Sequence, residues 1–348
     1  MDSSVSKVAP KTKKPSRRPI GVPAGPAISH PASGAAADVT VLMGGPSSER
    51  DVSLLSGRAI ADALRRLGHR VTETDISPSA ASALDGGAID AVFIALHGEF
   101  GESGEVQDLC EARGLAYTGS GPRASRVAMD KVAAKEVFQR EGLFTPAWVV
   151  LEAAHSAPRR AELLAGVAGP VVLKPIDGGS SVDVIIARDE PTRDRALNDL
   201  LPKYGRILVE RFIQGRELTV GVLGDRTLPA LEIIPSREFY DYTAKYADGS
   251  GTRYSFDLGL SPELAGRIQA DAWTAFRSIG CRDMGRVDFI LDSQNVPWAL
   301  EVNTIPGFTG HSLLPMAAAR AGVPFDQLVG RILEFALARS RAGRGAGR

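Results

Sequence analysis

The chain has 348 residues, enough for two or three domains of ordinary size. Hydrophobic residues make up 44% and charged residues 24%, so most of it is expected to fold around globular cores. Formal net charge is zero and no apolar run reaches the ~18–20 residues of a membrane span, so neither nucleic acid nor a membrane is an expected partner.

Residues 1–37 carry six basic residues against Asp2 alone, among Pro, Ala, Gly and Ser, and read as a disordered basic tail. The apolar segment of a secretory signal is missing there, which leaves a transit peptide open. Order begins at "DVTVLMGG" (38–45), a short strand that stops at a Gly pair. The spacing of Val52, Leu55, Ile60, Ala63 and Leu64 predicts a helix ending at Gly68. Strands "RVTETDI" and "AVFIALH" and a helix over 104–113 follow. This alternation predicts a parallel α/β layer with loops at the carboxyl ends of its strands.

"SRVAMDKVAAKEVFQREG" reads as one helix ending at Gly142. From 147 to about 225 the pattern is strand-rich: "AWVVL", "PVVLK", "VDVIIA", "RILVERF" and "ELTVGVLG", continued by "TLPALEII". Residues 236–257 are polar, Tyr- and Gly-rich and without periodicity, and so long a stretch in a compact domain predicts a functional lid. A helix over 261–279, strands "GRVDFIL" and "PWALEVN", and a helix over 325–339 complete the fold, and "ARSRAGRGAGR" reads as a frayed basic tail. Cys110 and Cys281 form no C-x-x-C pair, so both are expected reduced in the core of a cytosolic protein.

The strongest chemical signal is "GRVDFILDSQNVPWALEVNTIPG" (285–307). Asp288 sits in one strand, and Glu301 and Asn303 two residues apart in the next. Strand alternation puts residues i and i+2 on one face, so two adjacent strands can aim three oxygen ligands at one point, as Mg²⁺ requires. "KPIDGGSSVDV" (174–184) runs a strand into a Gly/Ser loop of the kind whose backbone N–H groups cradle phosphate, with Lys174 beside it. Asp183 puts a carboxylate in that loop. It tolerates a left-handed backbone less well than Gly and repels phosphate unless a metal or lysine intervenes. If "VDVIIA" is already a strand at Asp183, alternation carries the side chain away from the phosphates.

Other candidates are weaker alone. Lys131 reads equally as an exposed helix lysine. Glu210 and Glu217 can accept hydrogen bonds from ribose hydroxyls, although each by itself is most often a surface residue. "GGPSSER" (44–50) offers backbone donors at a helix start together with Glu49, against a capping arrangement around Ser47 and Ser48. His97 reads equally as a structural histidine.

Together, "GGPSSERDVSLLSG", "ALHGEFGESG", "YTGSG", "AMDK", "KPIDGGSSV", "FYDYTAKY", "GRVDFIL" and "EVNTIPGFTGHSLLP" stand in one order over about residues 39–340. The chain in this resembles the D-alanine–D-alanine ligases of the ATP-grasp superfamily. The resemblance implies an α/β and α+β fold: a three-domain ATP-grasp ligase with an N-terminal parallel α/β domain. Its parts would be the tail 1–37, the substrate domain 38–125, the central domain 126–220, the C-terminal metal domain 221–340 with lid 236–257, and the tail 341–348.

It also implies ATP-dependent ligation of two D-alanine molecules through an acyl phosphate, in peptidoglycan precursor synthesis in the cytoplasm. Glu49 would hold the ammonium of the first D-alanine, with Ser180 and Tyr246 closing the lid over it. Lys131 and Lys174 would contact ATP phosphates, with Lys245 near the transferred phosphoryl and Glu217 on the ribose. Glu210, Arg211 and Ile213 would line the adenine pocket, with Phe239 on the base. Asp288, Glu301 and Asn303 would hold two Mg²⁺ or Mn²⁺ ions. Arg286 and the Gly307 N–H would stabilise the tetrahedral intermediate, Ser312 would hold the second D-alanine, and His97 would support the pocket. Family members are often homodimers, and no interface is legible here. The chain departs from the family pattern at Ser103, Asp108, "YSFDL" (254–258) and Asp183.

Overall fold

A computed structural model describes residues 35–180, 182–235 and 251–346. Among the described residues, three sheets follow one another along the chain.

The first begins with β1 (Asp38–Met43) and α1 (Arg50–Arg66), then β2 (Arg70–Asp75), β3 (Ala91–Ile94), α2 (Glu99–Glu102) and α3 (Glu105–Ala112). The sheet is parallel in the order β2-β1-β3. β1 is central and covered on both faces, so its apolar run is nearly continuous: Val39, Val41 and Met43 pack into one cluster and Leu42 into another.

α4 (Pro122–Met129) and α5 (Lys131–Arg140) replace the single helix expected there. Asp130 is extended (φ −78°, ψ 103°), and its carboxylate accepts from the N–H groups of Val132 and Ala133, both at 2.9 Å. An N-capping Asp therefore breaks a run whose apolar spacing looks continuous, and Lys131 opens a new helix.

The second sheet contains β4 (Trp148–Glu152), α6 (Ala157–Leu164), β5 (Val171–Pro175), β6 (Ile185–Ala187), α7 (Glu190–Tyr204) and β7 (Arg206–Arg211). Its order is β4-β7-β5-β6, all antiparallel. The strand-rich reading of 147–225 named no helix there and missed α6 and α7. The signals for α7 are present: Asp189 accepts from Thr192 N–H at 2.8 Å, and Ala196, Leu197, Leu200 and Leu201 bury one helical face. "VDVIIA" is a strand only from Ile185, so Asp183 lies before it in a turn.

The third sheet contains β8 (Gly215–Leu223), β9 (Arg226–Thr227), β10 (Leu231–Ile234), β11 (Arg253–Ser255), α8 (Pro262–Ile279), β12 (Met284–Asp292) and β13 (Pro297–Asn303), followed by α9 (Leu313–Arg320) and α10 (Phe325–Ala346). It runs β11-β10-β8-β12-β13, with β9 on β8. The change of sheet falls at 212–214, ahead of the 220/221 boundary expected from the sequence. α4, α5 and α8 pack on one face through Phe138, Phe276 and Phe289, each fully buried. Truncating any one to Ala would cost about 3–5 kcal/mol. The opposite face, with Arg286, Asp288 and Ile290, is left to line a cleft.

α10 continues through Ala346, past the expected end at 339, so residues 341–346 are helical rather than frayed. Arg339 pairs with Asp283 and donates to Tyr117 O at 2.7 Å, which ties the helix to the body. Leu328, Val329, Ile332 and Leu333 of α10 share a core with β1 and α1, so the C-terminal helix closes the N-terminal layer.

Candidate active site

Two cavities meet at the Gly/Ser loop. The first, about 500 Å³, has walls from the second and third sheets. Lys131, Lys174, Glu210, Arg211, Ile213, Glu217, Asp288 and Glu301 line it, along with apolar Val172, Ile186, Ile290 and Leu300. Apolar walls with a few converging charges are typical of a cofactor-sized site.

β12 and β13 bring the oxygen ligands together. Asp288 and Glu301 are register partners, and so are Arg286 and Asn303. A bulge follows, so that Phe289 pairs with Ala299 and Leu300 has no opposite number. Unbroken alternation would have put Ala299 on the face of Glu301. The bulge re-phases the strand, buries Ala299, and turns Leu300 into the cleft beside Glu301.

A buried charge cluster joins β5 and β7 of the second sheet to α5. Glu210 accepts from Lys174 with one oxygen, and its other lies 2.8 Å from Lys135 Nζ. Lys135 is 0% exposed, and also donates to Thr145 Oγ1 at 2.7 Å and Pro146 O at 3.2 Å. Burial pulls the Lys135 pKa down to about 8 despite Glu210. Burial also pushes the Glu210 carboxyl up, but Lys135 and Lys174 outweigh it and hold the group at about 2. Sequence reasoning missed Lys135, although it falls four residues after Lys131 on the same helix face. Lys131 itself donates to Gly178 O at 2.6 Å, and burial lowers its pKa.

The second cavity, about 920 Å³, is lined by Glu49, His97, Glu102, Asn303, Gly307 and Ser312 among others. Glu49 stands at the α1 N-cap position but makes no side-chain cap. Ser47 supplies the local turn instead: its hydroxyl donates to His97 O at 2.7 Å and accepts from Glu49 N–H at 3.2 Å. The Glu49 carboxylate crosses to accept from the Ser180 hydroxyl.

His97 Nδ1 lies 3.1 Å from Ile305 O, which can only accept, so Nδ1 carries a proton, and Nε2 shares a hydrogen bond with Ser56 Oγ at 3.1 Å. Ser56 Oγ in turn accepts from Phe308 N–H at 3.2 Å. The histidine thereby fastens α1 to the loop that carries Gly307 and Ser312. Glu102, unremarked in the sequence, sits 3.6 Å from Nδ1, and burial raises its pKa. Ser312 stands at the α9 N-cap position without a side-chain cap, and its hydroxyl accepts from Thr309 N–H at 3.0 Å. A Cβ on Gly307 would meet that hydroxyl at 3.1 Å.

Lys131, Gly178, Gly179, Ser180, Arg286 and Glu301 line both cavities. A group bound in one would therefore face a group bound in the other across a few side chains. Asp183 lies outside this junction; its carboxylate accepts from Lys203 and Tyr204 of α7. The repulsion expected from it is met by Lys203. Phe239, Lys245 and Tyr246 lie outside the described residues.

The donor set suits a hard cation. Among the described residues no three His, Cys, Asp or Glu side chains gather as a ready-made metal cage. Asp288 and Glu301 instead offer two facing carboxylates beside the Asn303 amide, the partial shell that Mg²⁺ completes with phosphate oxygens and water. Here Arg286 Nε and Nη2 each donate to Asp288 at 2.9 Å, and Thr219 Oγ1 donates to it at 2.6 Å. Asn303 Oδ1 accepts from Ile305 N–H at 3.1 Å and retains a second lone pair.

A cleft between an antiparallel second sheet and a third sheet bearing the acidic strands, roofed by a Gly/Ser loop, defines the ATP-grasp class. The family described as D-ala D-ala ligase C-terminus matches residues 137–334. The chain is 45% identical over 300 residues to a D-alanine–D-alanine ligase of Gloeobacter violaceus, covering 86% of this chain and 99% of that one. Its fold is similar to that of the D-alanine–D-alanine ligase from Bacillus anthracis (TM-score 0.79, 32% identity), covering 88% of this chain and 100% of that chain. The Bacillus anthracis ligase complexed with ATP is likewise similar (TM-score 0.77, 29% identity), with the same coverage. The chain belongs to the D-alanine–D-alanine ligase family.

Proposed function

We propose that this chain joins two D-alanine molecules at the expense of ATP, for peptidoglycan precursor synthesis. The observation that carries this reading is the pair of cavities sharing Lys131, Gly178–Ser180, Arg286 and Glu301. ATP in the first can deliver its γ-phosphoryl to a carboxylate in the second without either ligand entering bulk water, which would hydrolyse the acyl phosphate.

In this reading Glu210, Arg211 and Ile213 line the adenine pocket and Glu217 takes the ribose. Lys131 and Lys174 meet the phosphates. Asp288, Glu301 and Asn303 hold Mg²⁺ or Mn²⁺, which supplies charge neutralisation at the phosphates when bound. Glu49 holds the ammonium of the first D-alanine, and Ser312 at the α9 N-terminus takes the carboxylate of the second. The second amine attacks the acyl phosphate, and Arg286 with the Gly307 N–H receives the oxyanion. Arg286 grips Asp288 and lines both cavities, which supports a role at the oxyanion between them. Tyr246, Lys245 and Phe239 complete the site from the 236–257 segment.

We further propose a three-part domain division, a cytoplasmic location, supported by the two buried unpaired thiols Cys110 and Cys281, and a homodimer, which sedimentation would test. Phosphate release with Mg²⁺ATP, with and without D-alanine, tests the activity. Release that depends on D-alanine and yields the dipeptide is expected; release only with another amine contradicts the acceptor assignment.

A further inference from the structure

Among the described residues, three side-chain hydrogen-bond sites tie down the loop between β5 and β6. Lys131 Nζ donates to Gly178 O at 2.6 Å, and Ser180 donates to Glu49. The third is Asp183, whose Oδ2 accepts from both Lys203 Nζ and the Tyr204 hydroxyl. Its neighbours Val182 and Val184 line the first cavity, while Asp183 does not. Its backbone is left-handed (φ 56°), as is that of Ser180 (φ 52°). A non-glycine residue adopts that conformation readily only where its surroundings hold it there.

The partners of Asp183 occupy the last turn of α7, the negative end of the helix dipole. The dipole opposes a carboxylate at that point, so Lys203 and Tyr204 do the holding. They also keep the Asp183 carboxyl below the usual carboxylate range, Lys203 contributing most. A single exposed Lys–Asp pair would matter little. Here, however, the pair is joined by a hydroxyl, fixes a strained turn, and sits three residues from Ser180 at the cavity junction.

We propose that Asp183, Lys203 and Tyr204 form a latch that pins the Gly178–Ser180 loop over the first cavity, making Asp183 a positioning residue for ATP. It acts through the loop, and touches neither nucleotide nor D-alanine. The proposal rests on reading the first cavity as the nucleotide site. It explains how a carboxylate sits in a phosphate-binding loop: it faces outward, neutralised, and replaces the freedom of a glycine with an anchor.

The test compares the unaltered chain with Lys203→Met/Tyr204→Phe, Asp183→Gly, and the triple variant. Three readouts are taken: KM for ATP against kcat, binding of the non-hydrolysable analogue AMP-PNP with Mg²⁺, and hydrogen exchange of segment 177–184. Loss of the latch is expected to raise KM for ATP and the AMP-PNP dissociation constant about threefold to tenfold, with kcat within about twofold. Exchange of 177–184 should quicken by a similar factor, with exchange elsewhere unchanged. The triple variant should be no worse than Asp183→Gly. Unchanged exchange and unchanged KM in Lys203→Met/Tyr204→Phe would overturn the latch. Failure of the unaltered chain to bind AMP-PNP would instead overturn the nucleotide reading, and with it the role in ATP positioning. The exchange measurement would then still decide whether the three side chains hold the loop.

Discussion

Lys135 Nζ lies 2.8 Å from Glu210 Oε2 at a fully buried position, and Glu210 alone of the two lines the first cavity. Lys135 therefore bears on the first cavity only through Glu210 and Lys174. Removing one partner of a buried ion pair typically costs 3–5 kcal/mol. Lys174 stays with Glu210, so Lys135→Met is expected to destabilise by about 2–3 kcal/mol, read from urea unfolding. A change under about 0.5 kcal/mol would show that Lys174 alone suffices.

The same cluster predicts a pH dependence. Lys135 has a folded-state pKa of about 8, below its ordinary value, so its charge is present below pH 8 and lost as pH rises through it. Glu210 at the edge of the cleft then keeps Lys174 alone as its cationic partner. KM for ATP should rise severalfold across pH 7–9.5. Burial lowers the Lys131 pKa as well, so the part due to Lys135 is the difference between this profile and that of Lys135→Met, whose KM should start higher and rise less. On the acid side, Glu210 is held at about 2 against an ordinary 4.5. Its contribution to stability is complete above that ordinary value and is lost as pH falls towards 2.

Gly98 has φ 78° and ψ −164°, a conformation open essentially to glycine alone. A Cβ there would lie 2.7 Å from Ser47 Cβ and 3.2 Å from Glu49 Oε2. Gly98→Ala should cost about 1–3 kcal/mol of stability and displace Glu49. Steady-state kinetics should show KM for D-alanine rising more than KM for ATP.

Ser56 is fully buried and joins His97 to the Phe308 N–H. Ser56→Ala leaves that N–H and His97 Nε2 short of a partner, at a cost of about 1–3 kcal/mol. The loop bearing Gly307 and Ser312 loses its tie to α1, so KM for the second D-alanine should rise while ATP binding holds. Equal losses for both substrates would argue against a local effect.

Much of this was legible in the sequence where one local signal sufficed. The parallel first layer followed from strand–helix alternation. Glu301 and Asn303 interrupted an apolar strand; Glu301 lines both cavities, Asp288 the first and Asn303 the second. What escaped depended on competition between signals or on distance. Asp130 caps a new helix inside an unbroken apolar period, and α7 was hidden by the β-rich stretches around it. The bulge at Leu300 changes which side chains face the cleft without changing composition. Lys135 and Glu102 look like surface residues until distant elements bury them. Asp183 looked hostile to phosphate because its partners, Lys203 and Tyr204, lie about twenty residues away.

The central claim is that phosphoryl transfer from one cavity activates a carboxylate held in the other. D-alanine labelled with ¹⁸O in its carboxylate tests this directly, with the released phosphate and dipeptide analysed by mass spectrometry. Attack of the carboxylate oxygen on the γ-phosphorus, followed by attack of the second amine on the acyl carbon with release of phosphate, must leave one labelled oxygen in each phosphate per dipeptide formed. Dipeptide formed with unlabelled phosphate would contradict the account.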